Sequence, residues 1–223
     1  MNDEIRKTHW ENVYSTKGEN EVSWFQESPA PSLELIELAK PTPDAAIVDI
    51  GGGASRLVDT LLKRGFRDVT VLDLSEAAIA AAKVRLGDKA AEVQWVAADV
   101  TKWSPSQSFE IWHDRAAFHF LTDPADRAAY VARLAKAIKP GGSVVIGTFA
   151  LDGPVKCSGL PISRYDAVAS GKCSAMVSIW PTRGGMSTRP RGRQSSAFSS
   201  RYSAERSHCL GLRDAPGRCS RCD

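Results

Sequence analysis

Ala46-Ile47-Val48-Asp49-Ile50-Gly51-Gly52-Gly53-Ala54-Ser55 is an apolar, β-branched run that ends in an acidic residue and a glycine cluster. Past a helix-like segment, Val69-Thr70-Val71-Leu72-Asp73 repeats the theme, an apolar run closed by Asp. Together they outline a β-α-β unit that holds a nucleoside-containing cofactor at the carboxyl ends of its strands. Glycine supplies the positive φ or bare backbone of a sharp strand-to-helix turn and keeps side chains away from a ligand lying across it. The N–H groups at the helix start favour an anionic group. Asp73 is placed to accept hydrogen bonds from two ribose hydroxyls.

Spacing narrows the cofactor. A dinucleotide fingerprint needs a further Gly three residues past the second glycine of the motif, so that helix and strand pack closely. Counting from Gly51 and Gly53, that position is Arg56. No Gly-Lys-Ser/Thr follows the glycines, which excludes a P-loop. An NAD-dependent oxidoreductase is further disfavoured by the lack of a recognisable Tyr-x-x-x-Lys pair. The loop that remains suits S-adenosylmethionine, which carries no phosphate and needs carboxylates for its ribose, its amino group and its sulfonium.

Neighbouring segments extend the pattern. Glu92–Val100 reads as a third strand ending in Asp99-Val100, with the carboxylate set for an adenine amino group and the valine for the ring face. Phe109–Arg115 reads as a fourth, ending at Asp114. Taken singly, each such Asp also reads as a helix N-cap. Asp49, Asp73, Asp99 and Asp114 on one sheet edge read better as the binding edge for a cationic, polyhydroxylated ligand.

Val48 to Gly53, Asp73, Asp99, Asp114 and Lys139-Pro140-Gly141-Gly142 resemble the successive motifs of class I S-adenosylmethionine-dependent methyltransferases. Ala54-Ser55-Arg56-Leu57 and Leu72-Asp73-Leu74-Ser75 resemble a subgroup of small methyltransferases that includes eukaryotic protein-lysine methyltransferases and many bacterial enzymes of unassigned substrate. His9-Trp10-Glu11-Asn12-Val13-Tyr14 and Ser23-Trp24-Phe25-Gln26 are similar to the subgroup's N-terminal segment, which lies over the cofactor. The resemblance extends from about Ile5 to Asp166. It implies a Rossmann-like α/β fold, a mostly parallel, doubly wound sheet with helices on both faces. It also implies S-adenosylmethionine as cofactor, held by Trp10, Tyr14, Asp49, Gly51, Gly52, Gly53, Asp73, Leu74, Asp99, Val100 and Asp114. The implied reaction is methyl transfer to a small molecule or a protein lysine.

A sulfonium activates its methyl group for in-line displacement, so alignment and desolvation are the protein's main tasks. A base is needed only where the acceptor arrives protonated. Asp114 and His119 are the candidate catalytic residues, with Asp114 expected near the cofactor's charged end. His113 reads rather as a hydrogen-bonded core histidine, and Arg115 as a partner for Asp114 or for an acidic substrate. Trp10 and Tyr14, and more weakly Trp24, offer aromatic faces to a sulfonium. The loop from Cys157 to Pro161 is a candidate acceptor-side loop, with a cysteine that has no partner to make it a nucleophile.

Periodicity fills in the helices. Pro31–Ala39 has helical apolar spacing with Ser32 as N-cap, and Leu57, Leu61 and Leu62 face one side of a helix that stops at Gly65. Ser75 caps a helix running to Leu86. Asp123-Pro124 opens another that runs through Ile138 to Gly141-Gly142, ahead of a fifth strand over Ser143–Phe149. This alternation argues for a parallel sheet covered on both faces.

The net charge of +3 divides unevenly along the chain. Residues 1–166, the methyltransferase domain, are acidic, whereas residues 167–223 are rich in Arg, Ser and Gly. That tail is poor in Leu, Ile, Val and Phe and reads as disordered or as out-of-frame translation. Enzymes of the class normally finish with a helix and an antiparallel strand pair, so the C-terminal strands are expected to be missing or abnormal. A non-catalytic cofactor-binding or interaction module is the alternative function that an incomplete sheet suggests. Nucleic-acid binding by the tail arginines is disfavoured by sparse aromatics, and zinc binding at His208, Cys209, Cys219 and Cys222 by the lack of a second spaced pair, so no metal is expected. The absence of a long apolar run or a secretory pattern predicts a cytoplasmic protein without membrane association.

Overall fold

Successive strand residues point to opposite sheet faces, and here both faces are apolar. In a computed structural model of the chain, residues 3–22, 25–115, 117–165 and 175–180 are described. The strands are β1 (Ile47–Ile50), β2 (Val69–Asp73), β3 (Val93–Ala97), β4 (Phe109–Asp114) and β5 (Ile138–Phe149), followed by the short pair β6 (Lys156–Cys157) and β7 (Leu160–Pro161) and then β8 (Ala175–Trp180). Among the described residues the main sheet has the order β3-β2-β1-β4-β5-β8, and every neighbouring pair is parallel. β6 and β7 form a separate antiparallel hairpin.

Ile47, Val69, Val71 and Ile111 face one core with residues of the helices α2 (Ala30–Leu38) and α3 (Leu57–Lys63). Val48, Ile50, Trp112, Val144 and Ile146 face the other, against Tyr130 and Leu134 of α5 (Pro124–Ala137). The helices start where local chemistry provides caps. Ser75 Oγ accepts from Ala78 N at 3.1 Å to open α4 (Glu76–Leu86), and Asp123 Oδ1 accepts from Ala125 N at 2.8 Å to open α5. Gly65, with φ +84°, follows the end of α3. The first helix, α1 (Asp3–Thr16), packs against α4.

Several expectations are corrected. Ser32 is not a cap: it lies inside α2, which follows Pro29, and its hydroxyl bonds a buried histidine. β3 stops at Ala97, so Asp99 sits in the turn beyond the strand. α5 stops at Ala137, and β5 begins at Ile138, earlier than Ser143. The pairing of β4 with β5 shifts between Phe109 and Ile111, which absorbs Lys139-Pro140-Gly141-Gly142 as a bulge rather than a helix stop. Within the stretch read as a tail, Ala175–Trp180 forms a strand parallel to β5. The rest of residues 167–223, including His208, Cys209, Cys219 and Cys222, lies outside the described residues, as do Ser23 and Trp24.

A buried polar chain ties β4 to α5. Trp112 Nε1 donates to Tyr130 Oη at 2.8 Å, and Tyr130 Oη donates to Asp114 Oδ2 at 2.8 Å. Burial and the charge of Asp114 push the Tyr130 phenol well above its ordinary range, so it remains a donor. Tyr130→Phe leaves the Trp112 N–H without its acceptor and removes one donor from Asp114. The variant is expected to lose roughly 1–3 kcal/mol of stability, measured by urea unfolding. An unchanged midpoint would show the chain to be energetically idle.

Candidate active site

The strand order reverses between β1 and β4, the position at which open α/β sheets bind ligands at their carboxyl ends. A cavity of about 370 Å³ opens there, a volume suited to a cofactor-sized ligand. Trp10, Tyr14, Gly51, Asp73, Leu74, Asp99, Val100 and His119 all line it, together with apolar residues from the ends of β1, β2 and β5. A smaller recess of about 90 Å³ borders Asp49 and Gly52 and shares Tyr14, Ile50, Gly51 and Arg115 with the main cavity.

The floor is built from glycines pressed against carboxylates. Gly51 has φ +70°, a conformation that side-chain-bearing residues rarely adopt. A Cβ at Gly52 would fall onto the Asp49 carboxylate, and one at Gly53 would lie 2.7 Å from both Asp73 Oδ2 and Ala78 Cβ. Gly53 N instead donates to Asp73 Oδ2 at 2.9 Å, while Ser75 N donates to Asp73 Oδ1 at 2.9 Å. These backbone donors, with Leu74, use part of the carboxylate's acceptor capacity and leave the remainder for a ligand. Burial pushes the Asp73 carboxyl up to about 6, aided by the charge of Asp49 and opposed by the bonds from Ser75, Gly53 and Leu74.

Asp49 is oriented from behind. Its Oδ1 lies 2.7 Å from His113 Nδ1, and His113 Nε2 lies 2.9 Å from Ser32 Oγ. A carboxylate only accepts, so the ring donates through Nδ1, and its neutral form accepts the serine hydroxyl at Nε2. His113 is therefore a buried, hydrogen-bonded core histidine, as its sequence position suggested. Asp49 Oδ2 is buried with no hydrogen-bond partner, on the residue that borders the smaller recess.

The roof is α1. Arg6, Trp10 and Tyr14 are spaced four apart on one helix face, and all three line the cavity. Trp10 stacks on Tyr14, with ring centroids 6.2 Å apart, and meets the edge of Phe120 at 5.0 Å. Arg6, only 3 % exposed, donates to Asp99 Oδ2 at 3.2 Å and to Asp126 Oδ2 at 3.0 Å. Glu11 Oε1 accepts from Ala77 N at 3.1 Å, and His9 Nε2 lies 3.3 Å from Ser158 Oγ on the β6–β7 hairpin. Sequence reading missed Arg6, although its spacing from Trp10 carried the signal.

Two carboxylates are more committed than the sequence suggested. Asp99 Oδ1 accepts from Thr101 N at 2.8 Å and Thr101 Oγ1 at 2.7 Å, while Oδ2 holds Arg6. Asp114 is fully buried and does not border the cavity. It accepts from Ala117 N at 2.8 Å, from Phe118 N at 3.1 Å and from Tyr130 Oη. The structure thus does not place Asp114 at a reacting centre or at the cofactor's charged end. Backbone donors after β4 capture its oxygens, in the turn that carries Ala117, His119, Phe120 and Leu121 to the cavity.

His119, Thr148, Phe149 and Cys157 also line the cavity. His119 is 2 % exposed, and burial pushes it down to about 3, which keeps its imidazole neutral. Burial raises the Cys157 thiol, which keeps it from being a thiolate nucleophile. Thr148 was read only as part of a buried strand. No group of three or more potential metal ligands occurs among the described residues, and no described helix is long and apolar enough to cross a membrane.

A parallel α/β sheet that gathers glycines, carboxylates and aromatics around one cavity at its switch point is the architecture of class I S-adenosylmethionine-dependent methyltransferases, and this chain carries a methyltransferase domain of that architecture. Residues 47–142 match the family described as a methyltransferase domain. Nodulation protein S of Rhizobium tropici is 27% identical over 124 residues, covering 56% of this chain and 51% of that protein. The eEF1A lysine and N-terminal methyltransferase of Danio rerio is 24% identical over 152 residues, covering 66% of this chain and 22% of that protein. The chain thus spans about half or less of the length of these curated relatives. Among solved structures, the Burkholderia thailandensis 1,6-didemethyltoxoflavin-N1-methyltransferase superposes with a TM-score of 0.54 at 24% identity, covering 74% of this chain and 68% of that one. The N-methyltransferase NodS from Bradyrhizobium japonicum WM9 gives 0.51 at 20%, covering 65% and 72%. Both show the shared fold.

The raised Asp73 carboxyl gives the site a pH signature. Ribose hydroxyls donate best to the ionised form, so binding of S-adenosylhomocysteine is expected to weaken as the pH falls through about 6. In the ligand-free protein the sign is opposite: the neutral acid is favoured, and its contribution to stability is lost as the pH rises through about 6. Calorimetric titrations from pH 5 to pH 8 check the binding limb, with Asp73→Asn flattening it. A wild-type affinity that does not move across this range would remove Asp73 from the ribose site.

Proposed function

We propose that this chain transfers a methyl group from S-adenosylmethionine to a nucleophilic acceptor, either a small molecule or a protein lysine, and that residues 1–166 carry the activity. The observation that carries the reading is the buried, unpartnered Asp49 Oδ2 beside a turn with no room for a Cβ at Gly52. A ligand ammonium would satisfy that oxygen, and the bare turn lets the ligand approach the backbone. When bound, S-adenosylmethionine supplies a sulfonium methyl: the acceptor's lone pair forms the bond to carbon, the carbon–sulfur bond breaks, and sulfur keeps the electron pair.

The chain's own residues bind and align. Asp49 takes the amino group, and Asp73 takes the ribose hydroxyls with its remaining lone pairs. Leu74 and Val100 flank the base, with Asp99 at its edge. Trp10 and Tyr14 close the cavity from above and exclude water, which strengthens each polar contact beneath them. An aromatic face near a sulfonium adds cation–π attraction. Similarity to an eEF1A lysine and N-terminal methyltransferase supports a nucleophilic acceptor.

Titration of the full chain with S-adenosylhomocysteine tests the reading. Saturable binding is expected, weakened about 10–100-fold by Asp49→Asn, as for loss of one hydrogen bond to a charged group. Absence of binding by the wild-type chain would return it to the non-catalytic alternative.

A further inference from the structure

We propose that His119 and Thr148 jointly recognise the methyl acceptor, and that this acceptor is an uncharged aromatic nitrogen heterocycle carrying both a ring N–H and a ring nitrogen with a free lone pair. The inference rests on the methyltransferase reading above and goes beyond it by choosing between acceptor classes.

Three polar atoms on these two residues are buried without a hydrogen-bond partner: His119 Nδ1, His119 Nε2 and Thr148 Oγ1. Both residues line the main cavity. Buried polar atoms left unpaired are costly, so three of them on two residues that line one cavity point to a ligand that pairs them. The histidine is not loosely held. Its ring centroid lies 4.2 Å from that of Phe120 and 5.0 Å from that of Phe149, and its backbone oxygen accepts from Ser163 N at 2.8 Å. Thr148 is fixed by its place at the end of β5.

The chemistry of these residues selects the acceptor. A neutral imidazole presents one donor and one acceptor, and a hydroxyl presents one donor and two lone pairs. Their complement is a group that both donates and accepts. Phe120, Leu121 and Phe149 also border the cavity, which suits a flat apolar body. Among the charged groups that line the cavity, Asp73 ends β2, Asp99 lies in the turn beyond β3, Arg6 is committed to Asp99 and Asp126, and Arg115 follows β4 and also borders the smaller recess beside Asp49. A lysine ammonium must shed a proton before it can attack. An imidazole held near 3 by burial is too weak a base to take that proton, and the raised Cys157 thiol is no anion. A neutral aromatic ring nitrogen attacks with its own free lone pair, the carbon–sulfur bond breaks with sulfur keeping the electron pair, and the ring's N–H proton leaves to solvent after the transfer.

The test titrates the S-adenosylhomocysteine complex of the full chain with benzimidazole and indazole, and separately with a lysine-containing peptide. Calorimetry and ¹⁵N NMR of the histidine rings are the readouts. At least one aromatic compound is expected to bind and to shift the His119 nitrogen resonances, while the peptide does neither. Thr148→Val, an isosteric change, is expected to weaken that binding about tenfold by removing one hydrogen bond, and Thr148→Ser to restore it, with the affinity for S-adenosylhomocysteine unchanged in both. Peptide binding in preference to every aromatic compound, no aromatic binding to the complex, or indifference to Thr148→Val would each overturn the proposal. Failure of the wild-type chain to bind S-adenosylhomocysteine would instead overturn the underlying methyltransferase reading.

Discussion

The site depends on one steric constraint: the backbone after β1 runs so close to two buried carboxylates that no side chain fits between them. Gly53 lies against Asp73 and Gly52 against Asp49, and the contact with Asp73 includes a hydrogen bond from Gly53 N. This approach brings the ends of β1 and β2 to the same ligand surface. It also concentrates negative charge in a desolvated place, and the raised Asp73 carboxyl is the electrostatic cost of that arrangement. The cost is met locally by backbone donors at Ser75, Gly53 and Leu74 rather than by a cationic side chain.

From that floor the rest of the cavity follows as a set of braces. His113 joins Asp49 to Ser32 in the sheet interior, and Asp114 accepts from Tyr130 and from the turn that carries His119 and Phe120. α1 is laid across the top by polar contacts to α4, to α5 and to the β6–β7 hairpin. The sheet supplies the rigid edge, and segments outside it supply the walls. This division is common where function is placed at the ends of a parallel sheet.

Much of this was legible in the sequence because strand and turn chemistry are local. β2 has the bounds its apolar run predicted, and the glycine turn and the Ser75 and Asp123 caps lie where their residue types require. The errors arose where a side chain's partner is distant. Asp114 and Asp73 are alike as strand-end aspartates, yet one turns its oxygens to Ala117, Phe118 and Tyr130 while the other borders the cavity. Nothing local distinguishes them. Thr148 was hidden for a related reason: a β-branched residue within Val144-Val145-Ile146-Gly147-Thr148-Phe149 reads as strand core, and its orphaned hydroxyl is visible only in three dimensions.

The Arg6 contacts carry a consequence for the roof's behaviour in salt. The Arg6 side chain is 4% exposed and Asp99 13%, whereas the neighbouring Lys7–Glu76 pair is 48% and 68% exposed. Mobile ions screen the second pair readily and reach the first poorly. The clamp that seats α1 over the cavity therefore persists across ionic strengths that dissolve the surface pair beside it. Ligand entry past α1 has to contend with a desolvated charge network, not with a surface one that the solvent can loosen.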